Sequence, residues 1–176
     1  YAGRVFSSLP DNIQRMCLSM VLSNESEDAS RSVGLLARSS AADSSPIFLT
    51  DALLRLSSYK PPPLQPLSNV LEAFATRHKD MFELKWINLV VKCLEEEKES
   101  PYGPRCIGFL FAFIESEKVN NDKKEAKNSD ADVKNLLINL LIEDLKSNDA
   151  KMRWNAAAAF SNAFFYNAKS QEAISI

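Results

Sequence analysis

An all-α fold, with about eight helices in roughly four antiparallel pairs, is predicted by three features of this sequence. Apolar residues recur at helical spacing along most of the chain, and no segment alternates convincingly with the period of two expected of a half-buried strand. Only 4 of the 176 residues are glycine, against a usual share of about 7%. Because β-hairpins and phosphate-binding turns use glycine at positive φ, this scarcity favours helices joined by polar loops.

The composition is that of an ordinary globular domain, with 45% hydrophobic and 25% charged residues. The net charge of −2 provides no overall field that would draw the chain to nucleic acid or to an anionic lipid surface. No apolar run approaches the ~18 residues of a membrane-spanning helix. The composition therefore argues against nucleic-acid and membrane partners.

The first and second helices are predicted from polar groups that can cap them. Residues 8–11 resemble a capping box with a proline in the first turn, and residues 24–27 offer a second cap. The apolar faces that follow are Met16, Met20 and Val21 in the first helix and Val33, Leu36 and Ala37 in the second.

The third and fourth helices are separated by the prolines at positions 61–63, which cannot propagate a helix. The third helix is therefore expected to end near Tyr59, and the fourth around His78. Their apolar stripes are Phe48, Leu49, Ala52, Leu53 and Leu56, followed by Leu67, Val70, Leu71 and Phe74.

The fifth helix is predicted over residues 81–94, where two apolar stripes run side by side. A helix that is apolar on two faces is expected to be sandwiched between neighbours. The sixth helix starts with Ser100 as its cap and Pro101 at its first position. The three stripes are Met81, Leu84, Ile87, Val91 and Leu94; Phe82, Trp86, Leu89, Val90 and Cys93; and Ile107, Leu110, Phe111 and Ile114.

Residues 119–130 are polar, rich in lysine and without periodicity, which predicts a surface loop. The seventh helix is expected to start at a capping box at residues 129–132 and to carry Val133, Leu136, Leu137, Leu140, Leu141 and Leu145. After a turn at residues 147–149, the eighth helix should extend from Ala150 to about Asn167.

The last helix carries a recognisable motif over residues 149–164. The pattern is an acidic turn residue, an apolar residue followed by an arginine, two small residues, and then an apolar residue followed by a small one. Its defining residues here are the acidic Asp149, Arg153, the small Ala156 and Ala157, and the apolar Phe160. This motif resembles the second helix of a HEAT repeat. Weaker copies are Arg105, Gly108, Phe111 and Ala112, and Ala29, Val33, Gly34, Leu36 and Ala37, with Ser30 in the place of the arginine.

The resemblance implies an α-α superhelix of the HEAT/armadillo type, formed by residues 1–176 as one repeat segment. The step from Arg105 to Arg153 is 48 residues, close to the ~40–47 of such repeats once an inserted loop is allowed for. Since the first residue is Tyr1 and residues 169–176 look like the start of another repeat, we expect the array to continue beyond this chain. The resemblance also implies a structural role for Arg153, paired with Asp149.

No residue pattern predicts catalysis or a cofactor. His78 is the only histidine, and neither a nucleophile–base pair nor zinc-ligand spacing is formed with Cys17, Cys93 or Cys106. Phosphate loops and the HExxH motif are also missing from the sequence. We therefore predict neither an enzyme nor a small-molecule site, and interpret the cysteines as reduced core residues of an intracellular protein, cytoplasmic or nuclear.

Two groups of residues are candidates for binding a protein partner. Trp154, Ser161 and Phe165 share a stripe of the last helix, on the side that lines the concave surface of a solenoid. The alternative for this stripe is contact with a following repeat. The second group is the acidic run Glu95, Glu96 and Glu97, for which the alternative is a solvated helix end.

The sequence thus predicts a protein-interaction scaffold or adaptor. Two other functions stay open: a cargo-binding solenoid similar to the karyopherin transport receptors, and an RNA- or ribosome-associated helical-repeat protein. The small residues of the last helix also predict a close helix contact, so that leucine at Ala156 or Ala157 should overpack it.

Overall fold

The computed structural model describes residues 8–23, 26–39, 45–83, 85–118 and 127–172, with the side chains at 39, 115–118, 127–131 and 162–172 left out. Within these ranges the chain forms eight α-helices and one short 3₁₀ turn at Lys79–Met81, and no strand. The all-α prediction is confirmed. The helices are α1 (Asp11–Leu22), α2 (Glu27–Ser39), α3 (Pro46–Ser58), α4 (Leu64–Arg77), α5 (Lys85–Glu96), α6 (Gly103–Lys118), α7 (Lys127–Leu145) and α8 (Ala150–Glu172).

The chain divides into two compact units, an amino-terminal unit of Tyr1–Lys98 and a carboxy-terminal unit of Glu99–Ile176. Within them, three of the predicted helix pairs are in contact: α1 with α2, α3 with α4, and α7 with α8. Each pair is joined by a short polar or proline-containing connection. That all 176 residues form one repeat segment stays a prediction.

In the amino-terminal unit the odd-numbered helices α1, α3 and α5 pack on one another in succession. Four side-chain contacts between them join residues that are 36 positions apart in the chain, so the helices are parallel and in register. The contacts are Arg15 Nε with Asp51 Oδ2 at 2.5 Å, Arg55 Nη2 with Ser19 Oγ at 3.0 Å, Cys93 Sγ with the Ser57 carbonyl oxygen at 3.7 Å, and Lys60 Nζ with the Glu96 carboxylate.

The buried faces of α3 and α5 repeat the same pattern. Every residue of the apolar stripe predicted for α3 is at most 1% exposed, and the residues 38 positions later are buried in α5. Phe48, Leu49, Ala52, Leu53 and Leu56 correspond in this way to Trp86, Ile87, Val90, Val91 and Leu94. Residues of both stripes predicted for the fifth helix are buried, namely Trp86, Val90 and Cys93 of one and Ile87 and Leu94 of the other, while its position between two neighbouring helices stays a prediction.

The even-numbered helices α2 and α4 also pack directly on each other, at a very close crossing. A Cβ added at Gly34 would lie 2.7 Å from Pro66 Cα and 2.9 Å from Pro66 Cβ. Real Cβ atoms do not approach other atoms so closely, so only glycine fits this position. The small residues of the second predicted helix therefore allow a backbone-to-backbone approach.

The carboxy-terminal unit repeats this arrangement with α6 and α8. A Cβ at Gly108 would lie 3.2 Å from Ala159 Cβ and 3.3 Å from Ala159 Cα. Helix α7 packs against both, and its Leu137 and Leu141 are fully buried. A contact between alternate helices through small side chains is thus present in each unit.

The first helix differs from the prediction in its start and in its buried face. Helix α1 begins at Asp11 with Pro10 as its N-cap and no side-chain cap, so the capping box expected at residues 8–11 is wrong. The predicted apolar face, Met16, Met20 and Val21, is exposed, whereas Gln14, Leu18 and Leu22 are buried. The buried face was missed because it includes Gln14, whose Nε2 donates to the Leu9 carbonyl oxygen at 2.8 Å.

Three other helix boundaries also differ from the predictions. Helix α5 begins at Lys85, after the 3₁₀ turn, so Met81 lies outside it and is exposed. Helix α6 begins at Gly103, after a turn in which Ser100 Oγ accepts from the Tyr102 N–H.

Helix α7 begins at Lys127, inside the loop predicted at 119–130 and before the predicted capping box; residues 119–126 lie outside the described part of the chain. Residues 169–172, where the start of another repeat is expected, continue α8 through Glu172, and that a further repeat follows stays a prediction. Neither glycine nor proline interrupts this end of α8, and Ala168, Lys169, Gln171 and Glu172 favour helix. Residues 173–176 lie outside the described part of the chain.

Candidate functional site

Helix α8 starts at a turn that is held by Asp149 and Arg153. Asp149 Oδ1 accepts from the Lys151 N–H at 2.7 Å and from the Met152 N–H at 3.4 Å, as a helix N-cap does. Arg153 Nη1 donates to the carbonyl oxygens of Ser147 and Asn148, at 2.8 and 2.9 Å. The predicted Arg153–Asp149 pair is wrong, because the carboxylate caps backbone N–H groups while the guanidinium binds carbonyl oxygens of the same turn.

The small residues of the motif do not all lie in the helix contact. Ala156 and Ala159 are buried, whereas Ala157 is exposed and Phe160 is half-buried. The expectation that leucine at Ala157 would overpack the contact is therefore wrong, because Ala157 is exposed rather than packed against a neighbouring helix.

Trp154 is the most exposed large apolar residue among the described side chains, at 76%. Each helical residue turns the side chain by about 100°. Trp154, two positions from both Met152 and Ala156, is thus on the opposite side of α8 from these two buried residues. Ser161 is also exposed and donates its hydroxyl hydrogen bond to the Ala157 carbonyl oxygen at 3.1 Å. The side chain of Phe165 lies outside the described residues.

Helices α6 and α8 are parallel neighbours whose starts are joined by polar contacts. Lys151 Nζ donates to Tyr102 Oη at 2.8 Å and lies 4.2 Å from the centroid of the Tyr102 ring. Asn155 Nδ2 donates to the Pro101 carbonyl oxygen at 2.6 Å. The first turns of α8 therefore lie beside the start of α6.

The outward side of α6 is marked by Arg105 and Phe109, the only residues of 103–114 that are not buried. The Arg105 guanidinium carbon lies 5.9 Å from the Phe109 ring centroid. Helix α7 packs against both α6 and α8. We call a group of exposed or half-buried residues in α6, in α8 and just before α6 the Trp154 face; its residues are Tyr102, Arg105, Phe109, Lys151, Trp154 and Ala158.

Of this face, the sequence indicated Trp154 and missed its aromatic and cationic neighbours. An arginine and an aromatic residue four positions apart, such as Arg105 and Phe109, are a signal that was available in the sequence. The contact between Tyr102 and Lys151 joins residues 49 positions apart and carries no local signal.

The acidic run belongs to the amino-terminal unit, whereas Trp154 belongs to the carboxy-terminal unit, and each unit is described by itself. Glu95 is exposed, Glu97 is half-buried, and Glu96 is paired with Lys60. One of the three carboxylates is thus engaged in the contact between α3 and α5.

The described side chains form neither a metal-binding cluster nor a membrane-spanning helix. Three or more His, Cys, Asp or Glu residues placed to hold a metal ion are not found among them. Burial raises the pKa of the Cys93 thiol, and its Sγ contacts the Ser57 carbonyl oxygen, which leaves Cys93 a packed core thiol. None of the described helices is long and apolar enough to cross a membrane.

Comparison of the chain with protein-family models, with curated proteins and with solved structures finds no match. The HEAT resemblance of residues 149–164 accordingly stays a prediction from the sequence.

Proposed function

We propose that this chain is the protein-binding part of a HEAT-like repeat scaffold, and that a partner protein binds the exposed side of α8 around Trp154. The observation that carries this proposal is the 76% exposure of Trp154 on a helix whose opposite side is fully packed. Tryptophan can bury about 150–250 Å² of surface and is enriched in binding hot spots. A partner would remove this apolar surface from water.

The packing within each unit supports the repeat character of the proposal. In the amino-terminal unit odd-numbered helices stack on odd-numbered ones in parallel, with a register of 36 residues that is constant over four contacts. In both units an even-numbered helix packs on the next even-numbered one. Gly34 and Gly108 lie at equivalent crossings in the two units. Stacked helical hairpins of this kind leave extended surfaces that suit binding rather than enclosed sites that suit catalysis.

The described cysteines are free thiols, which suits the intracellular location proposed for this scaffold. A karyopherin-like cargo carrier and an RNA-associated repeat protein are competing outcomes of the experiment below, because no contact or charge arrangement favours either one specifically.

Site-specific photocrosslinking tests the proposal. A photoreactive phenylalanine analogue replaces Trp154 in the full chain, and the matched control carries the same analogue at Ile142, which is 39% exposed on α7 in the same unit. We expect a discrete protein adduct in cells at position 154 and none at position 142.

Adducts at both positions would indicate non-specific capture, and adducts removed by ribonuclease would favour the RNA-associated alternative. If position 154 gave no adduct, the proposed binding surface would be wrong.

A further inference from the structure

The contact between α1 and α3 includes an arginine that meets a hydroxyl group instead of a carboxylate. Arg55 Nη2 of α3 donates to Ser19 Oγ of α1 at 3.0 Å. No described carboxylate lies within ion-pair distance of Arg55, whereas Arg15, one turn before Ser19, is paired with Asp51 at 2.5 Å. The positive charge of Arg55 is therefore not neutralised by this contact.

The other side-chain contacts at the register of 36 residues show what this one lacks. Two of the four are ion pairs between neighbouring odd-numbered helices: Arg15 with Asp51, and Lys60 with Glu96. The contact of Arg55 with Ser19 is the only one of the four in which a cation meets a neutral side-chain oxygen. A negative charge at position 19 would turn it into a third ion pair.

A phosphate group on Ser19 would supply this negative charge beside Arg55. Phosphoserine carries a charge of about −1.5 to −2 and three strong acceptor oxygens, which a guanidinium can bind through two parallel N–H groups. Because Ser19 Oγ is already within hydrogen-bond distance of Arg55, a phosphate attached to that oxygen lies within reach of the same guanidinium. Arg15, four positions before Ser19, adds a second cation on the same side of α1.

Helix α1 is buried less extensively than α3, which gives a modifying enzyme a route to Ser19. The buried residues of α1 are Gln14, Leu18 and Leu22, one of which is polar, whereas six residues of α3 are buried. Ser19 itself is half-buried. Because an element with few buried apolar contacts opens locally at a low cost in free energy, α1 can detach and present its serine.

We propose that Ser19 is a phosphorylation site, and that its phosphate fixes α1 on α3 by pairing with Arg55. A protein kinase transfers the γ-phosphoryl group of ATP to Ser19 Oγ. The bond between the γ-phosphorus and the β-phosphate oxygen breaks, the bond from Oγ to phosphorus forms, ADP leaves, and the hydroxyl proton passes to a base of the kinase. The site lies in the amino-terminal unit and does not depend on the binding surface proposed at Trp154.

Phosphoserine installed at position 19 of the full chain by genetic code expansion tests the effect on α1. We expect the thermal unfolding midpoint to rise by about 2–4 °C, and the amide hydrogens of α1 to exchange with solvent several-fold more slowly. Both effects should be lost in Arg55→Met, which removes the charge at an exposed position. Circular dichroism of each variant verifies that the helices are retained.

Phosphoserine at position 32 is the matched control. Ser32 is exposed in the middle of α2, and its hydroxyl donates to the Asp28 carbonyl oxygen at 2.7 Å. Since a phosphate there faces the Asp28 carboxylate one turn earlier, the midpoint should stay unchanged or fall. Inorganic phosphate added to the unmodified chain is a second control and should have no effect; a rise that depends on Arg55 would overturn the modification and assign the site to a free anion.

Phosphopeptide mapping tests whether the site is used. We expect tandem mass spectrometry of the protein isolated from its native cells, under phosphatase inhibition, to find phosphoserine at position 19. The proposal would be overturned by the absence of this phosphopeptide, by an unchanged or lowered midpoint with phosphoserine at position 19, or by the same rise in Arg55→Met.

Discussion

Asp144, next to the last residue of α7, is the described carboxyl group whose pKa departs most from its ordinary value. Burial, together with the smaller effect of the neighbouring Glu143 charge, raises the pKa of Asp144 to about 6. A folded-state pKa above the unfolded value of 3.8 means that the folded state binds more protons between these two values. Stability therefore falls as the pH rises from about 4 to about 6 and stays lowered above that.

Replacing Asp144 with asparagine should remove this penalty. At pH 7 we expect Asp144→Asn to raise the free energy of unfolding by about 1 kcal/mol, a value reduced for the half-exposed position of the carboxyl group. The gain should disappear when urea unfolding is repeated below pH 4. Glu143→Gln, which removes only the neighbouring charge, is the control and should give a smaller gain; an equal gain at both pH values would contradict the assignment.

At the scale of helices, the two glycine crossings differ in how much space they leave. The nearest atom to an added Cβ at Gly34 is a backbone carbon at 2.7 Å, whereas the nearest atom at Gly108 is the Ala159 Cβ at 3.2 Å. Alanine also favours helix over glycine by about 1 kcal/mol, which offsets part of any clash. The crossing of α2 and α4 should thus be the less tolerant of the two.

We expect Gly34→Ala to lower the free energy of unfolding by about 1–3 kcal/mol, as overpacked cores do. Gly108→Ala serves as the matched control, and its effect should be smaller by at least about 1 kcal/mol because the gain in helix propensity compensates a slight shift of Ala159. Chemical denaturation of both variants measures the difference. Equal effects would show that α2 and α4 do not cross at Gly34 as closely as described.

The last helix offers a second matched pair of substitutions. Ala156→Leu should destabilise the chain by about 1–3 kcal/mol, because Ala156 is fully buried. Ala157→Leu should change stability by no more than about 0.5 kcal/mol, because Ala157 is exposed. Thermal unfolding of both variants tests the orientation of α8, which would be wrong if the two substitutions had the same effect.

The helices were predictable from the sequence where a regular apolar stripe marks the buried face. The stripes of α3 and α4 are buried as expected, because a run such as Phe48, Leu49 and Ala52 has only one face that can enter a core. Helix α1 was assigned the wrong face, since it buries Gln14, whose Nε2 donates to the Leu9 carbonyl oxygen, a contact that depends on chain geometry. The hydrogen-bond acceptors of Arg153 could not be predicted for the same reason. Two carbonyl oxygens and the Asp149 carboxylate lie in the same turn and compete for the guanidinium group.

At the scale of the whole chain, each unit contains one of the two tryptophans, and their environments differ. Trp86 is 5% exposed and packs against Phe74 and Phe82 with ring centroids 5.7 and 5.3 Å apart, whereas Trp154 is 76% exposed. The sequence predicted Trp86 as a core residue and Trp154 as a surface residue, on helical spacing alone. The rest of the Trp154 face depends on contacts between α6 and α8 that spacing does not encode.

This difference predicts how the tryptophan fluorescence of the chain responds to quenching. In Trp86→Phe, acrylamide should quench the remaining Trp154 several-fold more efficiently than it quenches Trp86 in Trp154→Phe. On unfolding in guanidinium chloride, the emission of Trp86 should shift strongly and that of Trp154 only slightly. Similar quenching in the two variants would contradict the exposure assigned to Trp154 and, with it, the proposed binding surface.

The glycine crossings have a consequence for how the chain can change in length. Gly34 meets Pro66 after 32 positions and Gly108 meets Ala159 after 51, yet each is a close contact between parallel helices. The number of residues between the two contacting helices can therefore differ while the helices still approach each other closely. Evolution can extend, trim or rewrite such a connection while the packed helices keep their neighbours.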